Sequence, residues 1–196
     1  MMKKALCALL ACLLLPSLAL AEAGRAYEAF EAAYAENIEF LNVNTSRHML
    51  PYTPTRDYDP DGSVVHRIQM GALDVAIRLE NESIASLCVT LTAPEGMAYG
   101  DREYNDFAIS GYQSYAVLMA MSEAATPYER YALVESVNQA LGASESYQTG
   151  VGDYRLTCTR EGNAVTLLFE NELLVESEPI LPEDLDEESE DESLAG

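Results

Sequence analysis

The chain has 196 residues, of which 33 are Asp or Glu and 11 are Lys or Arg, so its formal net charge at pH 7 is −22. A field of this sign repels phosphate backbones and anionic membranes, which argues against a nucleic-acid partner and favours cations or basic proteins. The length is sufficient for one domain with a sizeable core.

The first 21 residues have the three parts of a secretory signal peptide. Lys3 and Lys4 form a basic start, an apolar run extends to Pro16, and residues 19–21 read Ala-Leu-Ala, a small-x-small cleavage site. The pattern predicts export with cleavage after Ala21. No later stretch is apolar for long enough to cross a bilayer, so the mature chain is predicted to have no transmembrane helix.

A lipoprotein signal is the alternative interpretation of the same segment. Residues 9–11 read Leu-Leu-Ala ahead of Cys12, which would become a lipid-anchored N-terminus. The chain stays apolar from Cys12 through Leu20, whereas lipoproteins usually turn polar there. Soluble export is therefore the favoured prediction.

The mature chain is predicted to begin with an amphipathic helix. Apolar and aromatic residues recur every three or four positions, at Tyr27, Phe30, Tyr34, Ile38 and Leu41. Residues 42–63 contain Asn, Pro and Gly at short intervals and are predicted to be irregular. From Val64 the apolar period changes to two, which indicates a three-strand meander with turns at Gly71 and at Asn81-Glu82. The core face of its third strand is predicted to carry Ala85, Leu87, Val89 and Leu91.

Two helices are predicted between Phe107 and Gly142. The first spans about 106–123 and is apolar on most sides, which is typical of a central helix. The second opens on Thr126-Pro127-Tyr128-Glu129, the pattern of a capping box with proline at its first turn, and is expected to end at Gly142 in a left-handed conformation. A final hairpin, with alternating residues from Tyr154 to Phe169, turns at 161–163.

The order of these elements is helix, strands, helices, strands. It predicts an α+β two-layer sandwich, with an antiparallel sheet of about five to seven strands packed by an N-terminal helix and a central helical pair. The predicted domain spans residues 22–180. Residues 181–196 carry eight acids between Glu183 and Glu192 and little apolar surface, so they are predicted to be a disordered tail.

A calcium loop is one interpretation of the acidic segment around Asp57, Asp59 and Asp61. These residues and Gly62 match positions 1, 3, 5 and 6 of such a loop, but position 12 is Ile68 where a bidentate glutamate is needed. Asp-Pro-Asp-Gly is also good turn chemistry ahead of a strand, which is the favoured interpretation. Apart from this calcium candidate, no cofactor is predicted.

Catalytic motifs are not evident in the sequence. His48 and His66 stand alone, no His/Cys spacing matches a zinc site, and no nucleophile elbow or phosphate-binding glycine loop occurs. No residue is therefore nominated as catalytic.

Cys88 and Cys158 are the two cysteines that remain after the predicted cleavage. Export into an oxidising compartment favours a disulfide between them. Strand parity opposes it, because Cys88 alternates with the apolar Leu87 and Val89, whereas Cys158 shares the apolar face of its own strand. A β-bulge next to either residue would reverse one parity and permit the bond.

Two functions remain open on these grounds. The first is a small exported, non-catalytic module that binds an extracellular protein or another ligand, through the solvent-facing side of its sheet or through Tyr52, Tyr58, Tyr99 and Tyr104 in the irregular segments. The second is an exported hydrolase or lyase whose catalytic residues are scattered along the chain.

Deletion of residues 181–196 is expected to leave the midpoint of thermal unfolding unchanged. The like charges between Glu183 and Glu192 repel one another and offer no apolar face to pack. Thermal melts of the full-length and shortened proteins test this, and a fall of more than a few degrees would show that the tail packs on the domain.

Overall fold

The computed structural model describes residues 24–59 and 63–175. The predicted signal peptide and acidic tail lie outside these residues. The helices are α1 (Tyr27–Thr45), α2 (Arg102–Met121), α3 (Pro127–Ala143) and α4 (Glu172–Val175). The strands are β1 (Thr55–Tyr58), β2 (Val64–Met70), β3 (Leu73–Glu80), β4 (Ser83–Thr92), β5 (Ser146–Val151), β6 (Tyr154–Glu161) and β7 (Ala164–Asn171).

The seven strands form one antiparallel sheet in the order β1-β2-β3-β4-β7-β6-β5. Helices α1, α2 and α3 pack on one face of it, which confirms the predicted α+β two-layer sandwich. We call the face that they cover the inner face. Its fully buried residues include Val75, Ile77, Leu87, Val89, Leu156 and Phe169. Within the described ranges, no helix is long and apolar enough to cross a membrane.

The centre of the sheet is the pairing of β4 with β7, which joins an N-terminal meander to a C-terminal one. Ser86 lies opposite Glu170 and Thr92 opposite Ala164. Hydrogen bonds close both ends of this pairing. The Tyr154 hydroxyl donates to the Ile84 carbonyl at 2.7 Å, and Asn163 donates its side-chain amide to the Ala93 carbonyl.

Residues 42–63 are more regular than their composition predicts. α1 continues to Thr45 and ends at Ser46 in the left-handed conformation (φ 54°). β1 forms within the same stretch because it pairs with β2, with Thr55 opposite Arg67. All four residues of β1 are exposed, so the strand has no apolar alternation by which a sequence pattern could reveal it.

The prediction is wrong for one residue of the core face of β4. The register shifts between Arg78 and Leu79, so that Ile84 lies opposite Leu79 and Ala85 is the extra residue of a bulge. Ile84 is consequently the buried residue and Ala85 is half-buried. Beyond the bulge, Leu87 and Val89 lie on the inner face as expected.

The boundaries of α2 differ from the predicted 106–123. The helix begins one turn earlier, at Arg102, and its exposed first turn has an i,i+4 ion pair between Arg102 and Asp106 at 3.7 Å. It ends at Met121 because Ser122 is extended (ψ 138°).

The capping box of α3 is present. The Thr126 hydroxyl accepts from the Glu129 amide at 3.3 Å, and the Glu129 carboxylate accepts from the Thr126 amide at 3.1 Å. The predicted stop at Gly142 is wrong. Gly142 lies inside the helix without a positive φ, and the chain leaves the helix at Ser144 in an extended conformation (φ −147°).

The corner between α2 and α3 is held by Arg130, whose residue exposure is only 8%. Its guanidinium donates to the carbonyls of Ala124 and Ala125 at 2.8 and 3.2 Å. It also contacts α1, through the Glu36 carboxylate at 2.7 Å and the Asn37 side-chain oxygen at 3.2 Å. One side chain of α3 therefore joins α1 to the connection between α2 and α3.

Cys88 and Cys158 lie on opposite faces of the sheet, and both are free. Cys88 is half-buried on the outer face, opposite Ala76 and Leu168, whereas Cys158 is fully buried among the core residues. The bulge at Ala85 precedes Cys88 and leaves its parity unchanged. Burial raises the pKa of the Cys158 thiol to about 11.

Thr126→Ala is expected to lower the free energy of unfolding by about 1 kcal/mol, because the Glu129 amide loses its cap. Urea titration measures the loss. Thr126→Ser is the control, since it keeps the capping oxygen and should retain most of the stability. Equal losses in both variants would show that the hydroxyl is not what stabilises this end of α3.

Alkylation of the unreduced, denatured mature protein, without residues 1–21, is expected to modify two thiols, Cys88 and Cys158, because strand parity separates them. In the folded protein Cys158 should react slowly, since a buried thiol with a raised pKa has little thiolate at neutral pH. Intact mass measures both results. A monomer with no alkylated thiol would contradict the assigned faces.

Candidate functional site

A cleft opens between α2, α3 and the inner face of the sheet, at the ends of the two helices that lie away from the Arg130 corner. We call it the α2–α3 cleft. Its volume is about 500 Å³, within the usual range for small-molecule sites. It is lined by residues of α2 from Tyr104 to Leu118, of α3 from Val137 to Gly142, and of strands β4, β6 and β7.

The floor of the α2–α3 cleft is apolar. Val89, Leu118 and Val137 are fully buried beneath it, and Leu91 and Val165 are half-buried at its sides. Among the polar groups of the lining, the Ser114 hydroxyl is already used, donating to the Gly111 carbonyl at 2.7 Å. The floor therefore provides mainly hydrophobic contact for a bound molecule.

Two helical glycines leave the space of the cleft open. Gly111 lies in α2 and Gly142 in α3, and neither has the positive φ that would require glycine. A Cβ atom added at either position would meet nothing within 4 Å, so close packing does not require glycine either. Glycine lowers the stability of a helix by about 1 kcal/mol relative to alanine. The two helices are therefore less stable than they would be with alanine, and the space beside both positions stays open.

Tyrosines form the rim of the cleft. The rings of Tyr112 and Tyr115 contact edge to face, with centroids 6.1 Å apart, and the Tyr115 hydroxyl accepts from the Asn138 side-chain amide at 3.2 Å. Tyr104 also lines the cleft, and Tyr99 packs on it with ring centroids 5.0 Å apart.

The four tyrosines predicted to form a binding surface are thus divided. Tyr99 and Tyr104 lie together at the cleft. Tyr52 lies beside α1, where its amide donates to the Tyr34 hydroxyl at 3.3 Å, and Tyr58 lies on the edge strand β1 with the Arg56 guanidinium over its ring at 5.7 Å. Within the described ranges, no ring contact joins Tyr52 or Tyr58 to the other pair.

Arg160 is the one charged residue among the described residues that line the cleft. It follows Cys158 by two positions on β6, so its side chain leaves the strand on the inner face, at the exposed end of the cleft. Its backbone amide donates to the Glu145 carbonyl at 2.8 Å. Its guanidinium has no ion pair or hydrogen bond with any residue in the described ranges.

The predicted calcium candidate lies on the outer side of the β1–β2 hairpin, and its carboxylates have arginine partners. Asp57 contacts Arg67 at 3.1 Å, and Asp59 contacts both Arg67 and Arg78. Asp61 lies outside the described residues. A calcium ion at Asp57 and Asp59 would have to displace these guanidinium groups, and the calcium interpretation stays a prediction.

The two histidines are not part of the cleft. The His66 ring packs on Tyr27 with centroids 4.7 Å apart, and His48 is exposed after α1.

A second, more open cavity of about 810 Å³ has a lining that includes Asp74, Glu95, Glu103 and Asp106. Across residues 24–59 and 63–175, no group of three or more His, Cys, Asp and Glu side chains is placed to hold a metal ion.

Sequence reasoning did not identify Gly111, Gly142 or Arg160 as site residues. A signal was present for the glycines, since both lie in stretches with helical periodicity where glycine is unfavourable. The helical pattern ends close to Gly142, which is why the sequence predicts a helix stop there. Arg160 had no distinguishing pattern in the sequence, because what marks it as a site residue is its place in the cleft and the absence of a partner among the described residues.

Comparison of the chain with protein-family models, with curated protein sequences and with solved structures gives no match.

Proposed function

We propose that this protein is an exported, non-catalytic binding module whose ligand occupies the α2–α3 cleft. The observation that carries the proposal is the open volume above an apolar floor, maintained by Gly111 and Gly142 at a cost to both helices. A preformed apolar cleft with a few polar groups at its rim is the usual form of a small-molecule site.

The rim supports the same proposal. Tyr104, Tyr112 and Tyr115 present aromatic rings with a polar hydroxyl at one end, a combination suited to the boundary between an apolar ligand and water. The outer face of the sheet supports it less, because its charged residues pair with one another, as in the contact of Arg155 with Glu170 at 3.3 Å.

The rival function, a hydrolase or lyase, needs a general base or an activated nucleophile at its site. The described residues that line the cleft include no carboxylate and no imidazole. The Ser114 hydroxyl donates to a backbone carbonyl of its own helix. This lining favours binding over acid–base chemistry in the cleft.

Gly111→Leu is expected to weaken the binding of N-phenyl-1-naphthylamine, an uncharged fluorescent probe of apolar sites, by about tenfold or more. The leucine side chain would fill the space that Gly111 leaves open. Fluorescence titration measures the affinity, and urea titration checks that the variant is folded.

Ala132→Leu is the matched control, since it adds the same side chain at an exposed position of α3 away from the cleft. It should leave probe binding unchanged. Gly111→Ala should raise the free energy of unfolding by about 0.5–1 kcal/mol, because its Cβ enters open space and alanine favours the helix. Equal probe affinity in the native, Gly111→Leu and Ala132→Leu proteins would place the binding site elsewhere and overturn the proposal.

A further inference from the structure

Arg160 is the one arginine among the described residues that line the α2–α3 cleft, and its guanidinium has no ion pair or hydrogen bond within the described ranges. Arg47 likewise has no carboxylate partner there, but it does not line the cleft. Arg67, Arg78, Arg130 and Arg155 each contact at least one carboxylate. Arg160 has no such contact in the described ranges, although the chain has three times as many acidic as basic residues. Since no described carboxylate pairs with this guanidinium, it is available to an external anion.

The position of Arg160 would place such an anion at the exposed end of the α2–α3 cleft. β6 alternates Leu156, Cys158 and Arg160 on the inner face, so the guanidinium continues the line of buried apolar side chains outward to solvent. Val165, which lies opposite Arg160 on β7, is part of the cleft wall. A molecule in the cleft would therefore have its apolar body on the floor and one end beside Arg160.

We propose that the ligand of the α2–α3 cleft is a single-chain amphiphile with an anionic head group, whose head pairs with Arg160. Guanidinium groups bind carboxylate and phosphate oxygens through paired hydrogen bonds, and such bonds are strengthened by charge. The chain enters the apolar cleft between Gly111 and Gly142. This inference rests on the proposed function of the cleft and adds the chemical class of the ligand.

The overall charge of the protein makes the inference testable against electrostatics alone. A net charge of −22 repels anions and attracts cations at long range. If the general field decided binding, a cationic amphiphile would bind best. If Arg160 decides it, the anionic amphiphile binds best despite the field, and moderate salt screens the long-range repulsion.

The test is a head-group series at constant chain length, measured by displacement of N-phenyl-1-naphthylamine at concentrations where each compound is monomeric. The compounds are dodecanoate, dodecanol and dodecyltrimethylammonium. Dodecanoate is expected to bind the full-length native protein about tenfold more tightly than dodecanol. Arg160→Gln should remove that difference and leave the dodecanol affinity unchanged.

Arg155→Gln is the matched control. Arg155 lies on the same strand, but on the outer face, where it pairs with Glu170. It should preserve the preference for dodecanoate. A loss of preference in both variants would show a general charge effect and overturn the role of Arg160.

Two further outcomes separate this inference from the proposed function. Equal binding of dodecanoate and dodecanol, both weakened by Gly111→Leu, would overturn the anionic head group and leave the cleft as the binding site. If dodecanoate binds only after deletion of residues 176–196, the acidic C-terminal segment of the chain itself pairs with Arg160. That result would overturn the proposal that Arg160 binds an external anion. If Gly111→Leu leaves probe binding unaffected, the proposed function itself fails.

Discussion

The buried guanidinium of Arg130 is the contact on which the arrangement of the helices depends. The corner between α2 and α3 leaves backbone carbonyls without helical partners, and Arg130 satisfies two of them while reaching across to α1. Arg25 supports the same corner from the start of α1, donating to the Ser122 carbonyl at 3.3 Å. Burial, and then the nearby positive charge of Arg130, lower the pKa of Arg25. Removal of Arg130 would leave buried acceptors unpaired, which costs more than the loss of an apolar side chain of similar size.

At the ends away from this corner, α2 and α3 are separated by the α2–α3 cleft over the sheet. The separation exposes part of the inner face, where Leu91 and Val165 remain half-buried. A filled interface would cover these side chains with larger residues at positions 111 and 142. The chain instead has its smallest residue at both, and the aromatic rings of α2 lie at the edge of the gap. The same helical pair thus has a closely hydrogen-bonded corner at one end and an open cleft at the other.

The fold could be predicted from the sequence where local patterns and tertiary packing agree. The capping box at Thr126, the alternation of Leu73 to Leu79 and the apolar character of α2 each indicate the structure that forms. The prediction failed where strand pairing, and not the local pattern, determines the secondary structure. The exposed residues of β1 form a strand because they pair with β2. It failed similarly at Ile84, where a bulge reverses the parity. The cleft was not predictable, because its features are an unfilled volume and a guanidinium without a partner among residues 24–59 and 63–175, and neither is a property of local sequence.

The central position of the β4–β7 pairing affects the order in which the chain can fold. The hydrogen bonds that close its two ends each join residues 70 positions apart. Until β7 is present, β4 has one free edge, and the N-terminal meander lacks the partner that completes its core. Contacts of such long range are slow to form, because the entropy of closing the loop is lost before the pairing stabilises it. The β4–β7 pairing therefore cannot form until Asn171 has been synthesised, and until then β4 keeps an unpaired edge.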